Sequence, residues 1–135
     1  MAYWLFKEEP SHYSFDDLVR DKKAVWSGVA NNLALKHLRS VAKGDRVFYY
    51  HTGAEKAVVG VMEVTRPAYA DPAEDDPRLV VVDVKPVHRL KRPVTLAQIK
   101  ANPKFADFAL VRIGRLSVMP VTDAQWAEIE RMSGD

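Results

Sequence analysis

The sequence predicts an α+β fold in which a mixed or antiparallel sheet curls into a barrel. Three observations predict it. Long strand candidates are clustered in the middle of the chain, short capped helices lie before and after them, and the two do not alternate as βαβ units would. At 135 residues the chain has the length of a single domain spanning 1–135, enough to bury one sizeable core. Hydrophobic residues at 47% and charged residues at 28% give a globular rather than a disordered profile.

Tyr3 to Glu8 opens the chain as an aromatic-rich strand. Ser14 with Asp17 gives an N-cap and an acidic first turn for a helix over Phe15 to Arg20. Val25 to Val29 reads as irregular around Trp26 and Gly28. A second helix is expected from about Asn32 to Val41, with Leu35 and Leu38 on one side and Lys36 and Arg39 on another. Lys43-Gly44-Asp45 is a turn that launches the strand Arg46 to His51. Thr52 to Lys56 connects it, hairpin-fashion, to a strand over Ala57 to Thr65.

Arg66 to Arg78 carries three prolines and four acidic residues and reads as a surface loop. Its acids lack the ligand spacing of a calcium loop, so no metal is expected there. Leu79 to Leu90 is a third long strand, and Pro86 inside it predicts an edge or a bulge. Thr95 with Gln98 forms a capping box for a helix to about Ala101, which Asn102-Pro103 ends. Arg115 to Val121 is extended, and Thr122 with Gln125 caps a last helix to about Arg131.

The chain has no cysteine, which excludes disulfides and thiolate metal sites. The apolar run from Ala2 to Phe6 is too short for a signal peptide, and no stretch nears the ~20 apolar residues of a membrane span. A cytoplasmic monomer with no membrane partner is therefore expected. Net charge is +2, only weakly basic, whereas a protein gripping many phosphates carries a strong basic stripe. Lys36, His37, Arg39 and Lys43 form one basic segment, and His88, Arg89, Lys91 and Arg92 another. They are either solvated faces or light contacts around a specific pocket.

Catalytic signatures are missing: no nucleophile elbow, no P-loop, no dinucleotide glycine pattern, no His-Glu-x-x-His. The four histidines have no metal-ligand spacing, so no catalytic residue, metal or cofactor is expected. Glu8 and Glu9 are strand neighbours pointing to opposite faces, which argues against a carboxylate pair. Within Phe48-Tyr49-Tyr50-His51, alternation places Phe48 and Tyr50 on one face and Tyr49 and His51 on the other. One pair should be core and the other nearer solvent or a ligand. Flat rings beside polar groups fill cores, or they stack a base and read its edge.

The ordered set Tyr3-Trp4-Leu5-Phe6-Lys7-Glu8-Glu9-Pro10, Tyr13-Ser14-Phe15-Asp16-Asp17-Leu18 and Trp26-Ser27-Gly28-Val29 resembles the opening of EVE-domain proteins of the PUA-like superfamily. The resemblance continues through Lys43 to Thr52, Gly60 to Val64 and Ala68 to Pro72, and ends on Arg115 to Val121. It implies a PUA-like mixed β-barrel of five or six strands flanked by short helices. It also implies an aromatic pocket for a modified nucleobase, foremost a modified cytosine in DNA and alternatively in RNA. The other readings are a pocket for a free nucleotide or other small molecule, or an enzyme acting on a modified base with Lys7, Glu8 or Glu9 as acid or base. Carried over residue by residue, the pocket would draw on Lys7, Glu8 and Pro10, on Trp26 and Asn31, on Tyr50 and His51, and on Leu116 and Ser117. Trp26 would be a pocket wall replaceable by alanine without loss of fold.

Two departures from the family pattern stand out. Glu8 replaces a frequent serine, and a glutamate can accept a hydrogen bond from cytosine N4. Gly28-Val29-Ala30-Asn31-Asn32-Leu33-Ala34 lacks the usual arginine and aromatic residue.

Overall fold

The computed structural model describes all 135 residues. Six strands form one mixed sheet: β1 (Tyr3–Glu8), β2 (Ala24–Trp26), β3 (Arg46–His51), β4 (Ala57–Ala70), β5 (Val80–Thr95) and β6 (Val118–Val121). Five α-helices complete it: α1 (Phe15–Asp21), α2 (Asn32–Ser40), α3 (Leu96–Ala101), α4 (Ala109–Arg112) and α5 (Asp123–Ser133). A 3₁₀ turn covers Pro103–Phe105.

The three expected N-caps are in place, and all three, not only the one at Thr95, are capping boxes. Ser14, Thr95 and Thr122 each accept the amide of the residue three positions on, and Asp17, Gln98 and Gln125 reach back to the cap amides. These satisfy the helices' first free donors locally, so they were readable from spacing alone. α4 has no side-chain cap and spans only four residues, too short for a periodic signal.

The sheet order is β2-β5-β4-β3-β1-β6, with β1 parallel to β3 and every other pairing antiparallel. A mixed sheet is thus observed, but the expected closed barrel is corrected: β2 and β6 are edges that do not pair with one another. The sheet curls instead. Trp26 on the β2 edge brings its ring 5.5 Å from Phe6 on β1 and 5.2 Å from Tyr49 on β3, although two strands separate β2 from β3 in the ladder. Four register shifts between β4 and β5 bend the hairpin that carries β2 over.

Three strand expectations are revised. The segment around Trp26 is a three-residue strand on β5, too short to show alternation. β4 continues to Ala70, so the loop begins later than Arg66; Pro67 falls inside one of the register shifts, where an amide is not required. Pro86 lies in the inner strand β5 rather than at an edge, and the shift opposite Val61/Met62 is the bulge that accommodates it.

The alternation reading of β3 also changes. Phe48, Tyr49, Tyr50 and His51 are all buried. Both faces are covered. On one side Trp126 of α5 stacks between Phe48 at 3.6 Å and Tyr3 at 4.3 Å. On the other Tyr49 meets Phe15 of α1 edge-on at 5.5 Å. Asp45 ties the start of β3 to β1, accepting from Trp4 Nε1 (2.9 Å), Ala2 N (3.0 Å) and Ala42 N (2.8 Å).

Candidate functional site

Because β1 and β3 run parallel and β6 runs against β1, the ends of β1 and β3 and the start of β6 meet at one edge. The backbone staples them: Lys7 N donates to Ser117 O (2.9 Å) and Thr52 N to Glu8 O (3.0 Å). The curl of the sheet brings the segment Trp26–Val29 to the same place. Gly28 there has φ +79, a left-handed turn open to glycine at little expense.

A cavity of about 390 Å³ opens at this junction. Lys7, Glu8, Trp26, Ser27, Arg115 and Ser117 stand on its wall, with Thr52 and Glu9 beside them. A smaller cavity of about 190 Å³ shares Glu8, Trp26 and Ser27, and it extends to His12 and Tyr13. A third, of about 240 Å³, shares Lys7, Thr52 and Gly114.

Lys7 Nζ donates to Gly114 O at 2.9 Å and lies 5.6 Å over the Tyr50 ring. Partial burial holds its pKa below the ordinary lysine value, because the desolvated ammonium is disfavoured. Glu8 accepts from the amide of Glu9 at 2.9 Å and stands 3.2 Å from His12 Nδ1. Glu9 lies beyond the strand and accepts from Thr52 Oγ1 (3.3 Å) and from Ser11. Tyr13 donates to Asp21 Oδ2 at 2.9 Å; burial, and then that carboxylate, push its phenol up to about 12. The wall thus offers hydroxyl and cationic donors beside carboxylate acceptors, a set suited to the edge of a flat polar ring.

Of the expected residues, Lys7, Glu8, Trp26 and Ser117 meet at the main cavity. Tyr50 borders the neighbouring cavity that Lys7 also lines. Asn31 is the N-cap of α2, its Oδ1 accepting from Ala34 N at 3.0 Å. His51 is a structural joint: Nε2 accepts from Phe15 N at 3.0 Å, so Nδ1 carries the proton toward Glu55 at 2.6 Å. Leu116 is buried, and Pro10 lies in the turn after β1 off the cavity walls.

The expected aromatic lining is reduced to one ring in the main cavity, Trp26, which is only 4% exposed and packed on Phe6 and Tyr49. Its removal would open the core, so the expectation that alanine there spares the fold is withdrawn. Arg115 was not among the expected residues. The expected extended segment from Arg115 is corrected: Gly114 and Arg115 form a turn, Ser117 a bend, and β6 starts only at Val118, so strand alternation gave no signal for Arg115. Arg115 brings a guanidinium to the cavity wall.

The family model of the EVE domain matches residues 2–132. Thymocyte nuclear protein 1 of Mus musculus is 30% identical, over 92% of this chain and 70% of the relative. Among solved structures, a protein of Rhodopseudomonas palustris is 45% identical with a TM-score of 0.94, covering 99% of this chain and 94% of that one. The human THYN1 protein, solved in complex with 5-methylcytosine-containing DNA, is 25% identical with a TM-score of 0.91, covering 100% and 99%. No helix of this chain is long and apolar enough to cross a membrane.

Proposed function

The chain belongs to the EVE-domain family, and from that premise we propose that it binds nucleic acid through a single modified base, foremost a modified cytosine in DNA, without turning it over. One observation carries the reading: donors and acceptors converge on one cavity of about 390 Å³ at the strand ends, in a fold whose human relative was solved with 5-methylcytosine-containing DNA. A cavity of that size falls in the range that holds a small ligand. The base enters flipped or from a single strand, at an unstacking cost of a few kcal/mol.

Glu8 accepts from an exocyclic amine, and Ser27, Ser117 and Arg115 supply donors to ring and carbonyl acceptors. The lone ring of Trp26 makes stacking a smaller contributor than edge recognition. Lys7 and Glu8 are each held by a backbone partner, and Glu8 also by His12, so both present fixed groups to a ligand's edge. The compartment is the one that holds the nucleic acid. The mouse relative is named for the nucleus, so the cytoplasmic expectation, which rested on the lack of a signal peptide or membrane span, gives way to that compartment.

The test is binding at fixed salt to matched single- and double-stranded oligonucleotides whose central cytosine is unmodified, 5-methylated or 5-hydroxymethylated. Preference for one modified form by about tenfold, near 1.4 kcal/mol, and its loss in Arg115→Ala or Ser117→Ala is the expected result. Equal binding to all forms would refute a modification reader. Binding of the modified nucleotide alone, with no oligonucleotide affinity, would replace the polymer by a free ligand.

A further inference from the structure

The cavity of about 240 Å³ beside the base cavity has a distinct chemistry. Lys7, Lys56 and Lys100 all line it, together with Tyr50 and Thr52, and no carboxylate does. None of the three lysines has an Asp or Glu oxygen within 4.0 Å. By contrast the base cavity holds Glu8 and Glu9. Glu9, which accepts from Thr52 Oγ1 at 3.3 Å, brings one carboxylate to the rim, so three lysines against one carboxylate leave the concavity with a net positive charge that an anion relieves.

The backbone fixes where one of these lysines starts. Lys56 adopts φ +46, a left-handed conformation that glycine or asparagine takes with less strain. It is locked there because its carbonyl accepts Leu96 N at 2.8 Å, joining the β3–β4 turn to the start of α3, which carries Lys100. The strained backbone holds a lysine side chain at the cavity. Lys7, Thr52 and Gly114 belong to both cavities, so an occupant of one lies against the occupant of the other.

We propose that this cavity seats a phosphate of the same nucleotide whose base enters the neighbouring cavity, held by Lys56 and Lys100 with Lys7 between the two. The proposal rests on the base-binding reading for its geometry and supplies the sequence-independent part of the affinity. The phosphate belongs either to a polymer backbone or to a free nucleotide. Desolvation disfavours the charge of Lys7, and an anion beside it offsets that penalty.

Lys56 and Lys100 are exposed, so Lys56→Ala with Lys100→Ala leaves the core untouched; a Lys36→Ala, Lys43→Ala double variant removes the same charge elsewhere. Each protein is titrated with the preferred modified nucleoside, its 5′-monophosphate and a single-stranded oligonucleotide carrying it, across a salt series. The expected result is unchanged nucleoside affinity and about tenfold weaker binding of monophosphate and oligonucleotide. The oligonucleotide salt slope should fall by about 1 per lysine, and the control pair should lose less. A loss confined to the oligonucleotide assigns the site to a backbone phosphate other than the 5′ one. Wild-type binding by the double variant with modified bases still discriminated, or an equal loss in the control pair, overturns the phosphate seat and leaves the base reading standing. Loss of affinity and slope where modified and unmodified bases bind alike refutes the base reading and keeps the seat. No binding of any probe overturns both.

Discussion

Gly60→Ala tests the packing behind the site. A Cβ built on Gly60 would lie 2.5, 2.6 and 2.7 Å from three carbons of the Phe15 ring, where carbon contacts settle at about 3.5–4.0 Å. The ring would have to retreat by about 1 Å. It has little freedom to do so: Phe15 is 1% exposed, begins α1 behind the Ser14 cap, and gives its amide to His51. Overpacking of this kind costs about 1–3 kcal/mol, and replacing a strand glycine by alanine returns about 0.5–1. A net loss of about 1–2 kcal/mol should lower the urea midpoint by roughly 0.5–1 M at a slope near 2 kcal/mol/M. Phe15→Leu frees space, so on that background the alanine should be at least ~1 kcal/mol less damaging. The displaced ring presses on Tyr49, which meets Trp26, so the variant should also weaken ligand binding while folded. Strictly additive effects of the two substitutions in the denaturation assay would refute the contact.

Trp26→Ala should destabilise the fold by about 3–5 kcal/mol and Trp26→Phe by much less, read by the same denaturation, because the indole fills the space between Phe6 and Tyr49. Asp45→Ala strands three donors and should lower stability by about 2–3 kcal/mol, with Asp45→Asn recovering part of it. Glu128 is held at about 2, below its ordinary 4.5, by Arg131 and then Asn102. That depression stabilises the fold above about pH 5 and is lost as pH falls from about 4.5 toward 2. The stability gap between wild type and Glu128→Gln, followed by thermal melts across that range, should be widest at neutral pH and should close toward pH 2.

What was legible in the sequence is local. Ser14, Thr95 and Thr122 set helix starts within a few residues of themselves, and β3 follows a turn glycine with φ +93 at Gly44. What was not legible depends on distant partners. β2 is a strand only because β5 offers it an edge, and Pro86 is tolerated inside the sheet only because β4 shifts register opposite it. Phe48 to His51 could not be divided into a core face and a ligand face, since α5 and α1 arrive from other parts of the chain to cover both. Asn31 and His51 illustrate the same limit at the site. Polar side chains near a pocket motif are as readily consumed by a helix cap or a buried amide as by a ligand, and only the fold says which.

Lys7 decides how the two cavities can be told apart. It lines both, is tethered to the Gly114 carbonyl, and lies over Tyr50. Substituting it would release the Gly114 loop, alter the base wall and remove one cation from the other cavity at once, so its loss of function would separate nothing. Residues confined to one cavity do separate the contributions. Arg115 and Ser117 border only the base cavity, whereas Lys56 and Lys100 border only the lysine-lined one. Base discrimination should therefore follow the first pair and salt dependence the second. Because Arg115 and Ser117 precede β6 while Lys56 lies in the β3–β4 turn and Lys100 on α3, and the two pairs line different cavities, their effects on binding free energy should add. A Lys7 that couples the two occupants would appear as a departure from that additivity when it is changed to methionine, which keeps the stem and removes the charge.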